Sequence, residues 1–192
     1  MKPLEKTAVM VPAQDKTMFG FWVYIMTDCV LFASIFATYA VLQGRATGHE
    51  LFNLPFVLGE TLILLTSSFI CGLGILAAHA RNKQRVLTWF GLTFLLGLAF
   101  LGMELSEFHK LVVEGHGWQQ SGFLSAYFTL VGTHGLHIAF GLLWIGVLCI
   151  RIYSHGLTDQ SVKRLTLLSL FWHFLDVIWI FIFTIVYLFG AL

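Results

Sequence analysis

Long apolar stretches separated by short polar ones divide this chain into five segments, covering approximately residues 18–42, 54–78, 86–108, 122–152 and 165–189. Each reaches the roughly 20 residues needed to cross about 30 Å of hydrocarbon at 1.5 Å per residue. Continuous apolar runs of this length exclude the short alternating strands of a barrel, and a backbone in lipid must satisfy its own hydrogen bonds. The pattern therefore predicts an all-α, polytopic five-transmembrane-helix bundle over residues 18–192, preceded by a polar tail over residues 1–17. The first run exceeds the 7–15 residue apolar core of a cleaved signal and reads as a permanent helix.

Charge placement adds orientation. Lys2, Lys6, Lys16, Arg81, Lys83, Arg85, Arg151, Lys163 and Arg164 fall on one side of the expected helices, and only Arg45 and Lys110 on the other. Basic residues in short connections stay in the cytoplasm, which predicts a cytoplasmic N-terminus and tail and a periplasmic C-terminus. Composition agrees with a lipid solvent: 58% of residues are hydrophobic and 11% charged, against about 25% charged in a water-facing domain. A net charge of +1 with no basic face argues against a nucleic-acid partner. Cys29, Cys71 and Cys149 lack metal-ligand spacing and read as ordinary buried thiols. Gly44 is expected to stop the first helix, Asn53 with Pro55 to start the second, and Ser121 or Gly122 to start the fourth. Glycines at 72, 74, 91, 97, 132, 135 and 141 suit close helix packing.

The expensive residues are the ionisable ones inside the runs, because a charge at the bilayer centre costs at least about 2.5 kcal/mol even on insertion scales. Counting along each run places Asp28, His134, His137, His173 and Asp176 near mid-depth, and Glu60, Glu104 and Glu107 in an outer layer. His134 and His137, His173 and Asp176, and Glu104 and Glu107 are each three residues apart and share a helical face. The central set has the atom types for metal ligation, for interhelical hydrogen-bonded pairing and for proton relay, and the sequence leaves all three open. Glu60 and Glu104 would share a proton if adjacent. A Ser/His/Asp nucleophile, a phosphate-binding glycine loop and a Cys-x-x-Cys motif are all missing from the sequence, so no catalytic residues, cofactor or metal site are expected on this chain. An independent small membrane transporter is the reading these midplane groups would otherwise suggest.

Their surroundings carry a resemblance. Phe19-Gly-Phe-Trp-Val-Tyr-Ile-Met-Thr-Asp28, Glu104-Leu-Ser-Glu107-Phe, Thr133-His134-Gly135-Leu136-His137 and Phe171-Trp172-His173-Phe174-Leu175-Asp176-Val177-Ile178-Trp179 occur in that order. Together they resemble subunit III of the haem-copper respiratory oxidases, over nearly all of the chain after residue 17. Within that family the chain is most similar to the five-helix bacterial form found in cytochrome bo-type ubiquinol oxidases; the seven-helix form has two further helices before the first one here. Asp28 stands where the seven-helix form usually has Glu.

The resemblance implies an accessory subunit of a proton-pumping complex in the bacterial cell inner membrane. Its partners would be the haem-copper large subunit I, subunit II and the small subunit IV. Haem b, haem o, copper and ubiquinol would belong to those partners, with phospholipid a candidate ligand of this chain. The same resemblance admits subunit III of a menaquinol oxidase or of a five-helix cytochrome c oxidase.

Overall fold

A computed structural model describes residues 13–43, 54–115 and 117–188. These form α1 (Ala13–Gln43), α2 (Leu54–His79), α3 (Lys83–Val113), α4 (Gly122–His155) and α5 (Asp159–Ile182), after which the chain continues as a π-helical segment, Phe183–Leu188. All five helices are long and apolar enough to cross a membrane, and no strand occurs among the described residues. The chain is an all-α membrane protein. The stop at Gly44, the cap at Asn53 and the charges of Lys2, Lys6 and Arg45 lie outside the described residues.

The helices overrun the apolar stretches at several ends: α3 begins at Lys83 and α4 runs to His155. An α-helix has no reason to unwind where lipid tails give way to headgroups, since each added turn keeps its hydrogen bonds internal. Side chains close the ends instead. Asn82 accepts from the Arg85 amide at the start of α3, Ser121 from Leu124 at the start of α4, and Thr158 from Ser161 at the start of α5. Thr158→Ala is expected to cost about 1 kcal/mol and to speed amide exchange selectively in the first turn of α5, which hydrogen-exchange mass spectrometry would resolve.

The polar ends on one side of the bundle are also tied across elements. Arg81, in the left-handed backbone region at φ 57°, pairs with Asp159 at the start of α5. Lys83 Nζ donates to the Tyr153 carbonyl near the end of α4 at 3.0 Å.

In the bundle, α4 packs against α1, α3 and α5, while α5 also meets α2, and α2 packs along α3. Helix α1 is peripheral, resting mainly on α4 and more lightly on α5; Phe19, Met26, Val30 and Val41 point away from the bundle. The centre is Trp172 on α5, fully buried. Its indole donates to Ser67 Oγ of α2 at 3.1 Å. Its ring presses on Gly97 of α3 and Gly141 of α4, where a Cβ would lie 2.9 Å and 3.0 Å from indole carbons. Four helices therefore converge on one side chain, as small residues in membrane helices allow.

Gly74 accommodates Phe90 in the same way, but Gly72 and Gly91 face open space. Not every glycine serves packing within the chain. Nor are all three thiols buried as the sequence suggested: Cys71 is, Cys149 is partly covered, and Cys29 is exposed on α1. Mid-helix position alone does not say which way a residue on a peripheral helix faces.

Candidate functional site

Eight ionisable residues inside the spans define the candidate site, and packing sorts them into separate groups. Asp28 of α1 and His137 of α4 meet across the α1–α4 contact, with Oδ2 3.6 Å from Nε2 and Asp28 only 6% exposed. His137 donates Nδ1–H back to the Thr133 carbonyl at 2.7 Å. In the neutral imidazole this leaves Nε2 as an acceptor aimed at the carboxyl. Asp28 Oδ2 has no hydrogen-bond partner among the described residues, so this close approach to Nε2 is its nearest polar contact to α4.

This geometry makes a specific expectation. Asp28→Asn keeps a donor opposite Nε2 and should leave α1 seated. Asp28→Leu orphans His137 and should loosen α1 by about 1–2 kcal/mol, seen as faster protease cleavage at the N-terminal end of the chain in detergent. Equal cleavage of the two variants would show that the pair does not hold α1.

His134, one turn earlier on α4, is in different company. Its ring stacks on Trp179 with centroids 5.1 Å apart and meets Phe100 edge-on at 6.1 Å. It is wholly buried, and neither ring nitrogen has a hydrogen-bond partner. Trp179 in turn donates to Thr61 of α2 at 3.1 Å. The sequence identified His134 as a costly group but gave no sign that aromatic rings would enclose it.

His173 and Asp176 lie on the α2 side of α5. His173 Nδ1 contacts Ser68 Oγ at 2.5 Å, and Asp176 Oδ2 is 4.0 Å from the same nitrogen. Asp176 is buried, whereas the His173 side chain is 48% exposed. Ser68 was missed by sequence reasoning, because a serine in an apolar helix is unremarkable until a partner is known. The mid-depth set is thus an α1–α4 pair, an aromatic-encased His134 and an α2–α5 group.

The outer carboxylates do come together. Glu60 of α2 and Glu104 and Glu107 of α3 are all buried and close enough to influence one another electrostatically. Glu107 Oε2 accepts from Tyr187 at 3.1 Å, and the Tyr187 hydroxyl contacts that of Tyr127 at 2.8 Å. Both Glu60 oxygens and one Glu104 oxygen have no hydrogen-bond partner.

Gly135 lies against the Glu104 carboxyl, with its would-be Cβ 2.8 Å from Oε1. The π-helical segment delivers Tyr187 to this layer; such widenings of a helix re-aim side chains. The two tyrosines carried no sequence signal distinguishing them from other membrane aromatics.

Among the described residues no three His, Cys, Asp or Glu side chains are arranged to hold a metal ion. His137 directs Nε2 at Asp28, and His134 is enclosed by Trp179 and Phe100. What the arrangement can do is hold protons and join helices.

Comparison with known proteins places this geometry in a family. Residues 6–191 match the family model described as cytochrome c oxidase subunit III. The chain is 58% identical over 180 residues to cytochrome bo(3) ubiquinol oxidase subunit 3 of Pseudomonas aeruginosa, covering 92% of this chain and 86% of that protein. It is 47% identical to cytochrome c oxidase subunit 3 of Bacillus sp. (strain PS3), over 89% of this chain and 84% of that one. Quinol oxidase subunit 3 of Bacillus subtilis is 43% identical, over 89% of this chain and 86% of that one.

Proposed function

Because the chain belongs to the cytochrome c oxidase subunit III family, we propose that it is the accessory subunit III of a cytochrome bo-type, proton-pumping ubiquinol oxidase. The observation that carries this is the 58% identity over 92% of the chain to a relative of that name, against 47% and 43% for the cytochrome c oxidase and quinol oxidase relatives. The 58% and 53% identities to two relatives of that name favour ubiquinol over the other electron donors.

In this reading the redox chemistry belongs to partner subunits. A haem-copper subunit I, with haem b, haem o and copper, oxidises ubiquinol and reduces oxygen to water; subunit II and a small subunit IV complete the complex. This chain supplies a rigid apolar body for assembly and stability, together with surfaces for membrane lipids. Its place is the bacterial inner membrane, with the N-terminus cytoplasmic and the C-terminus periplasmic, an orientation supported by the basic residues Arg81, Lys83 and Arg85 and Arg151, Lys163 and Arg164 around two of the connections.

The Asp28–His137 contact acts as a connection between α1 and α4.

The test is purification of the tagged chain from its native membrane in a mild detergent, with partner identification by mass spectrometry and a reduced-minus-oxidised spectrum. Co-purification of a large subunit with b-type and o-type haem signals supports the reading. Recovery of the intact chain with no haem-bearing partner in several mild detergents overturns it.

A further inference from the structure

In the outer carboxylate layer, Tyr127, Tyr187 and Glu107 form one hydrogen-bonded row with a defined direction. Tyr187 donates to Glu107 Oε2 at 3.1 Å, and the two phenol oxygens lie 2.8 Å apart. A hydroxyl has a single hydrogen to give. With that of Tyr187 directed at the carboxylate, Tyr127 is the donor to Tyr187, and both protons point toward Glu107. The two tyrosines are fully buried, and Glu107 is buried with them.

Aromatic rings connect this row to the surface. Tyr127 meets Phe128 at a centroid distance of 5.6 Å, and Phe128 meets Trp118 at 6.1 Å. Trp118 stands in the connection between α3 and α4 and is 54% exposed. Indole and phenol rings are readily oxidised by one electron, and rings in near contact exchange electrons quickly. An oxidised phenol is a strong acid, so the electron leaves easily only when a base within hydrogen-bond reach takes the proton. Packing alone does not require such a row, since a buried hydroxyl adds a desolvation cost that phenylalanine avoids. Tyr187 is also delivered by the π-helical segment Phe183–Leu188, a geometry frequent at functional sites.

We propose that Trp118, Tyr127, Tyr187 and Glu107 form a one-electron redox relay, which carries an oxidising equivalent inward from the surface and holds it as a neutral tyrosyl radical on Tyr127. The oxidant is a one-electron acceptor stronger than an indole, the class to which oxygen-derived radicals belong. It takes one electron from Trp118 and is itself reduced, leaving an indole radical cation. An electron from Tyr127 then restores Trp118 across Phe128. With it, the Tyr127 proton moves to the Tyr187 oxygen and the Tyr187 proton moves to the Glu107 carboxylate. Trp118 and Tyr187 end unchanged, Tyr127 has lost one electron and one proton, and Glu107 has become the acid. No step passes through a partner subunit.

The test uses the full-length chain in mild detergent, carrying Tyr24→Phe and Tyr153→Phe because both rings are exposed and would be oxidised directly. A water-soluble ruthenium polypyridyl complex is the photo-oxidant, with a cobalt(III) ammine as terminal electron acceptor. Transient absorption and electron paramagnetic resonance should show an indole radical giving way to a neutral tyrosyl radical. Tyr127→Phe and Trp118→Leu should each lose the tyrosyl signal. Glu107→Gln separates the relay from a structural brace: the amide oxygen still accepts from Tyr187, but it cannot take the proton. The tyrosyl signal should therefore be lost while the indole radical lives longer.

A tyrosyl yield in Tyr127→Phe or Glu107→Gln equal to that of the parent chain overturns the proposal, as does a parent chain that forms the indole radical alone. Trp118→Leu changes an exposed position. If either buried variant fails to fold, loss of the tyrosyl signal in Trp118→Leu supports the relay and an undiminished signal overturns it.

Discussion

Trp172→Ala should lower the stability of the detergent-solubilised chain by about 3 kcal/mol, at the lower end of the range for removing a buried tryptophan. The lower end applies because in a membrane the unfolded reference leaves much of the side chain in lipid rather than water, so the hydrophobic contribution is reduced and lost packing dominates. Packing is where this residue is unusual. The indole fills the space left by Gly97 and Gly141 and donates to Ser67, so truncation opens a void between four helices and removes a buried hydrogen bond together. Trp172→Phe should recover part of the loss but not the Ser67 contact. Denaturant titration of the full chain, followed by the remaining tryptophans, measures both; a cost under about 1 kcal/mol would mean that the bundle collapses around the void.

Glu60→Met is expected to do the opposite and stabilise the chain by about 1–3 kcal/mol. Both Glu60 oxygens are buried without a hydrogen-bond partner, and Glu104 and Glu107 add carboxyls nearby rather than cations. Methionine has similar length and flexibility and carries no polar group to desolvate. Thermal unfolding in mild detergent should therefore show a higher midpoint for Glu60→Met than for wild type. A lower midpoint would mean that ordered water satisfies the carboxyl and that the outer layer is a connected polar network. If the midpoint rises while turnover of the complex falls, the carboxyl is present for function at the expense of stability.

The two substitutions separate what could be read from the chain from what could not. Five spans, their helical state and the identity of the eight ionisable residues within them are properties of local composition: the thickness of hydrocarbon sets the length of an apolar run, and the cost of a charge in lipid marks every acidic residue or histidine within one. The i, i+3 pairs were equally legible, because helical geometry places such residues on one face, as Glu104 and Glu107 show by both turning inward. Pairings between helices were a different matter. Depth suggested one central set, yet Asp28 pairs with His137, His134 is enclosed by Phe100 and Trp179, and His173 turns toward Ser68.

Nothing in the spacing along one helix states the rotation of its neighbour, and that rotation decides whether a mid-depth side chain meets a partner, a ring or the outer surface. The same limit applies to glycine. Gly72 and Gly97 look alike in sequence, but Trp172 presses on one and open space faces the other. The sequence by itself therefore determined the length, number and helical character of the spans and which residues are costly in lipid, because these depend on the solvent and on a single helix. Only the tertiary structure decided which costly residues are paired, which are sealed in the core and which are left facing outward, because those outcomes depend on how five helices rotate against one another.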